Sequence, residues 1–142
     1  MKEKAEILDE KAMARAITRM SFEIIERNRG IEDLCVIGIL RRGAVIAERI
    51  AAKIAEVEGR SLPLGKLDIT PFRDDRPREE GRGRTEMDFP IEGKKIVLVD
   101  DVVFTGRSVR AAIDAILSRG RPQNVQLAAL VDSPEAEALE LA

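Results

Sequence analysis

Residues 96–108 place the strongest limits on what this chain can fold into. The stretch begins with four apolar residues, Ile96 to Val99, continues with the adjacent carboxylates Asp100 and Asp101, and then enters a helical pattern. A short, continuous apolar run is typical of a strand that is buried on both faces. Ligands bind beyond the carboxyl ends of strands in open α/β sheets, so a buried strand that ends in acids and restarts as a helix predicts a ligand site.

The rest of the chain alternates apolar runs with amphipathic stretches. Helices are predicted over residues 9–28, 45–57 and 109–117, strands over residues 34–40, 63–70, 95–99 and 125–131, and weak helical character over residues 134–142. Strands that alternate with helices indicate an α/β fold, with a mostly parallel sheet covered on both faces. At 142 residues, the chain is predicted to form a single domain, residues 1–142.

Several function classes are excluded by composition. The chain has no histidine, which rules out Ser-His-Asp and Cys-His catalysis and any histidine-ligated metal. Its single cysteine, Cys35, rules out an internal disulfide framework and favours a reducing, cytoplasmic setting. No run approaches the roughly 18 apolar residues of a membrane span. The net charge of −2 gives no overall basic field, so any nucleic-acid contact depends on a local patch.

The central stretch combines two kinds of binding group. Asp100 and Asp101 could accept hydrogen bonds from a vicinal diol or hold Mg²⁺, directly or through water. The turn from Thr105 to Ser108 offers hydroxyls, backbone amides and a helix N-terminus, which together suit a phosphate. Each half alone could be an ordinary strand end or helix cap. At this spacing after an apolar strand, the two halves predict a ribose 5-phosphate site.

Three further stretches carry charged residues at positions where a ligand or nucleic acid could be bound. Arg41-Arg42-Gly43 follows the first predicted strand and so opens at the ligand edge of the sheet. Residues 71–92 form a long, charge-dense segment, equally compatible with a mobile, arginine-bearing lid and with an inert solvated loop. Basic residues lie on the outer face of the first helix, where the pattern alone favours a solvated charged face: Arg15, Arg19 and Arg27, with Thr18 among them.

The stretch Val-Leu-Val-Asp-Asp-Val-Val-Phe-Thr-Gly-Arg-Ser resembles the 5-phosphoribosyl diphosphate (PRPP) motif of type I phosphoribosyltransferases. Residues 38–43, 67–75 and 120–132 extend the resemblance to the PyrR family, whose members attenuate pyrimidine operons and act as uracil phosphoribosyltransferases. The similarity runs from about Asp9 to Asp132. It implies the type I phosphoribosyltransferase fold, in which helices flank a mostly parallel central sheet.

The resemblance also implies roles for individual residues. Asp100 and Asp101 would hold the ribose hydroxyls, and the turn of Arg41, Arg42 and Gly43 would receive diphosphate, where the family often has a non-proline cis peptide. Arg73, on a flexible loop of about residues 71–92, would close over the leaving group and complete the catalytic set with the two aspartates. Mg²⁺ would bind mainly through PRPP, with Asp100 and Asp101 as further candidates. The 5-phosphate would be bound by Val103, Phe104, Thr105, Gly106, Arg107 and Ser108.

The partners implied are PRPP, uracil or UMP, pyrimidine leader mRNA and further copies of the chain. The mRNA would be bound by Arg15, Thr18, Arg19 and Arg27, with Phe22 standing where the family usually has histidine. A homodimer or homotetramer could use the apolar Met13, Met20 and Phe22 as a contact.

The C-terminus departs from the family pattern. Family members continue with Asp-Arg-Gly-His-Arg and a longer basic segment that contributes the base-binding hood, whereas here Asp132 is followed by Ser-Pro-Glu and a short acidic tail. We therefore expect a truncated tail over residues 133–142, a largely absent hood and weakened transferase activity on uracil. The alternatives are a catalytic type I phosphoribosyltransferase for another base, or a degenerate domain that only binds nucleotide or oligomerises.

Overall fold

The computed structural model describes residues 10–72, 84–100, 106–129 and 139–141. A short 3-10 turn at Thr70–Phe72 follows the second strand. The helices and strands, in chain order, are α1 (Glu10–Asn28), β1 (Leu34–Ile39), α2 (Arg42–Glu58), β2 (Leu64–Leu67), β3 (Lys95–Asp100), α3 (Gly106–Leu117), β4 (Asn124–Ala129) and β5 (Leu139–Leu141).

These strands form one sheet in the order β2-β1-β3-β4-β5. The first four are parallel, with Val36 beside both Leu64 and Val97, whereas β5 runs antiparallel to β4. The predicted α/β fold with a mostly parallel central sheet flanked by helices is confirmed.

Helices cover both faces of the sheet, which explains why all six residues of β1 are buried. On one face, α1 and α2 pack against alternate strand residues such as Val36 and Val97. On the other face, α3 packs against the intervening residues, among them Cys35 and Leu98. Near-continuous apolar strands are the expected consequence of a sheet covered on both sides.

The described part of the tail differs from its predicted helical character. Residues Leu139–Leu141 form a strand instead, with Leu141 beside Val125 and Leu139 beside Leu127. A strand at this position gives β4 a partner for backbone groups that would otherwise have none in the sheet, and this gain outweighs a weak helical pattern.

Residues that follow Arg84 run alongside β2. The backbones of Lys66 and Glu86 pair through two hydrogen bonds of 2.8 Å. Met87 and Phe89 pack over Gly65, where a β-carbon would lie 3.3 Å from the Met87 side chain. Residues 84–91 therefore cover part of the core, whereas 73–83, including the proposed catalytic Arg73, lie outside the described residues.

One buried polar pair joins α1 to β4. Asn28 and Gln126 exchange two side-chain hydrogen bonds of 3.1 and 2.8 Å, and Asn28 also donates to the Ile24 carbonyl at 2.8 Å. Both side chains thereby keep partners inside the core.

Candidate functional site

The strand order creates a crevice at one edge of the sheet. From β1 the chain moves outward to β2, whereas the next strand, β3, lies on the opposite side of β1. The carboxyl ends of β1 and β3 are thus neighbours whose connections lead in opposite directions. This is the topological switch point at which open α/β sheets bind ligands.

The turn after β1 brings its arginines to this crevice. The Leu40–Arg41 peptide bond is cis, and the Leu40 N–H donates to the Leu67 carbonyl at 2.9 Å, which ties the turn to the end of β2. α2 then begins at Arg42, and both Arg41 and Arg42 are exposed. The structure therefore places this Arg-Arg-Gly sequence at the ligand edge, as the sequence predicts.

Gly43 allows α2 to start directly against β3. A β-carbon on Gly43 would lie 2.4 Å from the Val99 carbonyl oxygen and 3.0 Å from the Asp100 α-carbon. Gly38, within β1, likewise allows close packing against α2, since a β-carbon on Gly38 would lie 2.5 Å from the Ala44 α-carbon. Contacts this short exclude any side chain, so these two glycines set how closely helix and strands approach.

Asp100 is the last residue of β3 and is half-buried at the crevice. Gly43 lies beside its α-carbon, so the start of α2 adjoins the residue that carries this acid. Asp101 and the phosphate candidates Val103, Phe104 and Thr105 lie outside the described residues. Gly106, Arg107 and Ser108 form the first turn of α3.

Two helices start close to the end of β3. Neither α2 nor α3 has an acidic residue in its first turn, and the side chain of Arg41 makes no capping hydrogen bond at the start of α2. The first amide groups of a helix lack intrahelical acceptors and carry the positive end of its dipole. The crevice can therefore accept anionic groups from two directions, beside a carboxylate that can accept hydroxyl hydrogen bonds.

Asp68, just after β2, is a residue to which the sequence assigned no role. Its carboxylate accepts the Thr70 N–H at 3.0 Å and the Arg84 N–H at 3.1 Å. Desolvation raises the pKa of Asp68, but the hydrogen bonds from these backbone donors lower the pKa by more. The net pKa therefore lies below its ordinary value. The only sequence signal is an Asp two residues before Thr70, a spacing typical of a local turn.

The four residues proposed to bind RNA lie on α1. Arg15, Arg19 and Arg27 are exposed and Thr18 is half-buried. Arg19 lies 3.8 Å from the exposed Glu23, a weak pair that leaves its charge accessible. Arg27 is two turns, or about 12 Å, further along the helix than Arg19.

The three apolar residues proposed for a contact between copies differ in burial. Met20 is 6% exposed and belongs to the core, and Met13 packs against that core and accepts a hydrogen bond from Arg49 at 3.0 Å. Phe22 is 50% exposed. Phe22 therefore offers more apolar surface to solvent than the buried Met20.

Within the described ranges, no group of three or more carboxylate or thiol side chains could hold a metal ion. Asp100 is the acid at the end of β3, and a single carboxylate suits Mg²⁺ held largely by a ligand's own oxygens. No described helix is long and apolar enough to cross a membrane.

Comparisons with known proteins agree on one family. Residues 3–142 match the phosphoribosyl transferase domain. The chain is 56% identical over 143 residues to a bifunctional protein PyrR of Acetivibrio thermocellus, covering 96% of this chain and 76% of that protein. It is 52% identical over 132 residues to a pyrimidine operon regulatory protein of Lactococcus lactis, covering 93% and 75%.

A solved structure supports the fold. The hypoxanthine phosphoribosyltransferase of Staphylococcus aureus superposes with a TM-score of 0.68 at 16% identity, covering 96% of this chain and 72% of that one. At this identity the likeness concerns the fold alone.

Proposed function

Because the chain belongs to the PyrR family of type I phosphoribosyltransferases, we propose that it regulates pyrimidine biosynthesis genes by nucleotide-dependent binding to leader mRNA, which is transcription attenuation. In the same site it transfers the phosphoribosyl group of PRPP to uracil and forms UMP and diphosphate. The observation that carries the proposal is the contact of Gly43 with the end of β3, which brings the Arg41-Arg42 turn beside Asp100.

In the transfer, N1 of uracil bonds to C1 of the ribose, the bond from C1 to the diphosphate oxygen breaks, and the N1 proton is lost. Positive charge develops on the ribose and negative charge on the leaving group. Asp100 and Asp101 orient the ribose hydroxyls, whereas Arg41, Arg42 and the start of α2 stabilise the diphosphate. Residues 103–108 hold the 5-phosphate, and Arg73 adds positive charge on the diphosphate side.

Mg²⁺ fits this arrangement as a partner of PRPP. It would bind mainly through the oxygens of PRPP, with Asp100 and Asp101 as protein candidates, and would supply positive charge against the diphosphate.

Catalysis is tested by UMP formation from PRPP and uracil in the presence of Mg²⁺. We expect turnover, and we expect Asp100→Asn combined with Asp101→Asn to weaken PRPP binding. Asp88→Asn is the matched control, because Asp88 is an exposed acid away from the crevice. Unchanged PRPP affinity in the double variant contradicts the assignment of the two aspartates. Turnover with a different base in place of uracil contradicts the proposed base.

RNA binding is tested with a pyrimidine-leader hairpin and a scrambled hairpin at equal salt, each with and without UMP. Phosphate contacts make affinity salt-dependent but carry no sequence information, so the comparison requires one salt concentration. We expect the leader hairpin to bind more tightly, and Arg19→Ala to reduce that difference. Arg60→Ala is the control, since Arg60 is an exposed arginine that pairs with Glu32. Equal affinities for the two hairpins contradict the regulatory function.

Assembly into a homodimer or homotetramer stays a prediction, and the exposed Phe22 is its apolar candidate on α1.

A further inference from the structure

One carboxylate joins two parts of the chain that are far apart in sequence. Asp68 Oδ1 accepts the N–H of Thr70, and Oδ2 accepts the N–H of Arg84, 16 residues away. In addition, the Asp68 N–H donates to Thr85 Oγ1 at 2.9 Å. Asp68 therefore links the residues that precede the 73–83 segment to those that follow it.

This arrangement exceeds an ordinary local turn. A turn closed by an aspartate needs only the hydrogen bond from two residues ahead, here from Thr70. The bond to Arg84 is non-local, and it continues the backbone pairing of Lys66 with Glu86 past the point where β2 ends. Where strand pairing stops, the Asp68 side chain replaces it. The pKa of Asp68 is lowered on balance, as expected when its hydrogen bonds favour the charged form.

Asp68 also lies next to the diphosphate side of the proposed site. Leu67, its neighbour in sequence, accepts the Leu40 N–H from the turn that leads to Arg41. In the sheet, β2 lies beside β1 and is separated by β1 from β3, after which the proposed 5-phosphate turn follows. A substitution at Asp68 should consequently weaken binding at the diphosphate position more than binding at the 5-phosphate position.

We propose that Asp68 is a positioning residue of the phosphoribosyl site: it holds Thr70 and Arg84 in place just past the end of β2, where Leu67 bonds to the turn that leads to Arg41, and so favours ligands that carry a diphosphate. This inference rests on the proposed phosphoribosyltransferase function. Asp68 acts through the backbone of its partners and touches no substrate itself.

The test compares PRPP with UMP, which has the 5-phosphate and ribose but no diphosphate. Asp68→Asn keeps the shape of the side chain but has one acceptor oxygen in place of two, and Asp68→Ala has none. For Asp68→Ala we expect PRPP affinity to fall about tenfold, because the charge-assisted hydrogen bonds to its carboxylate are lost, while UMP affinity stays close to that of the wild type. Asp68→Asn should lie between, and the control Asp88→Asn should match the wild type.

Amide hydrogen exchange provides a readout that is independent of ligands. In Asp68→Ala the Arg84 amide should lose protection, whereas the paired amides of Lys66 and Glu86 should keep theirs. Equal loss of PRPP and UMP affinity, or unchanged PRPP affinity in both Asp68 variants, overturns the proposal. Failure of the wild type to bind PRPP and UMP at all overturns the proposed function itself, which keeps the two failures distinguishable.

Discussion

The α-carbon of Gly43 lies so close to the Val99 carbonyl that a β-carbon on Gly43 would be 2.4 Å from that oxygen. The neighbouring atom belongs to a backbone in the middle of the sheet, which cannot move as the end of a flexible side chain can. The arginine turn can lie this close to Asp100 only because residue 43 is a glycine and has no side chain.

Gly43→Ala should therefore damage both stability and binding. We expect the free energy of unfolding to fall by about 1–3 kcal/mol, since relieving the clash requires a backbone shift. PRPP affinity should fall as well, because the shift separates the start of α2 from β3. Gly65→Ala is the control: its β-carbon would meet the flexible Met87 side chain at 3.3 Å, so a change below about 1 kcal/mol is expected. Urea unfolding and equilibrium PRPP binding measure both effects.

The buried pair of Asn28 and Gln126 should show strong coupling. Replacing either residue alone by Leu leaves the other amide without its partner and should cost about 1–3 kcal/mol of stability. The double variant should cost less than the sum of the two, because no orphaned amide remains opposite an apolar group. A double-mutant cycle by urea unfolding measures the difference, and strict additivity would contradict direct coupling.

Cys35 should make stability sensitive to alkali. Burial raises the pKa of its thiol from 9.0 to about 12, an effect that Lys94 offsets only in part. The folded state keeps the proton at a pH where the unfolded chain loses it, so this contribution to stability is intact below about pH 9 and is lost as the pH rises toward 12.

The slope between these limits should approach about 1.4 kcal/mol per pH unit. Cys35→Ala removes the titration, and the wild type should lose stability relative to this variant as the pH increases. Urea unfolding over the same pH range for both proteins isolates the thiol, because all other titrating groups are shared. A constant difference between the two proteins would show that the thiol does not titrate as expected.

Substitutions at Met20 and Phe22 should differ in their effects on stability and self-association. Met20→Ala removes a core side chain and should lower the free energy of unfolding by about 2–5 kcal/mol. Phe22→Ser changes a half-exposed side chain and should stay within about 0.5 kcal/mol of the wild type. Of the two residues only Phe22 is accessible to another copy, so only Phe22→Ser should alter self-association in sedimentation experiments.

Much of the fold follows from sequence periodicity. The phase of α1 places Met20 in the same apolar stripe as Ile17 and Ile24, and all three are buried. The continuous apolar runs at β1 and β3 become strands buried on both faces, because helices cover both sides of a parallel sheet. The strand at Leu139–Leu141 was not predicted, because it forms by pairing with β4 and the residues of the tail alone do not indicate that pairing.

The positions of the candidate site residues were predictable where these residues follow a strand. Asp100 and the Arg41-Arg42-Gly43 turn lie at strand ends, and parallel strands bring such ends to one edge. The link between Asp68 and Arg84 was not predictable, since it joins residues 16 apart without any repeating pattern. The short distance between Gly43 and Val99 also depends on tertiary packing, which sequence periodicity does not predict.

The pairing of Lys66 with Glu86 has a consequence for aggregation. β2 is at the end of the strand order, and an uncovered edge strand offers free N–H and C=O groups to any other unfolded or partly folded chain. The N–H of Lys66 donates to the Glu86 carbonyl and the Lys66 carbonyl accepts the Glu86 N–H, so both backbone groups of Lys66 are occupied, and the charged Lys66 side chain further discourages intermolecular pairing. The pairing of Glu86 with β2 thus also protects this edge of the sheet against pairing with other chains.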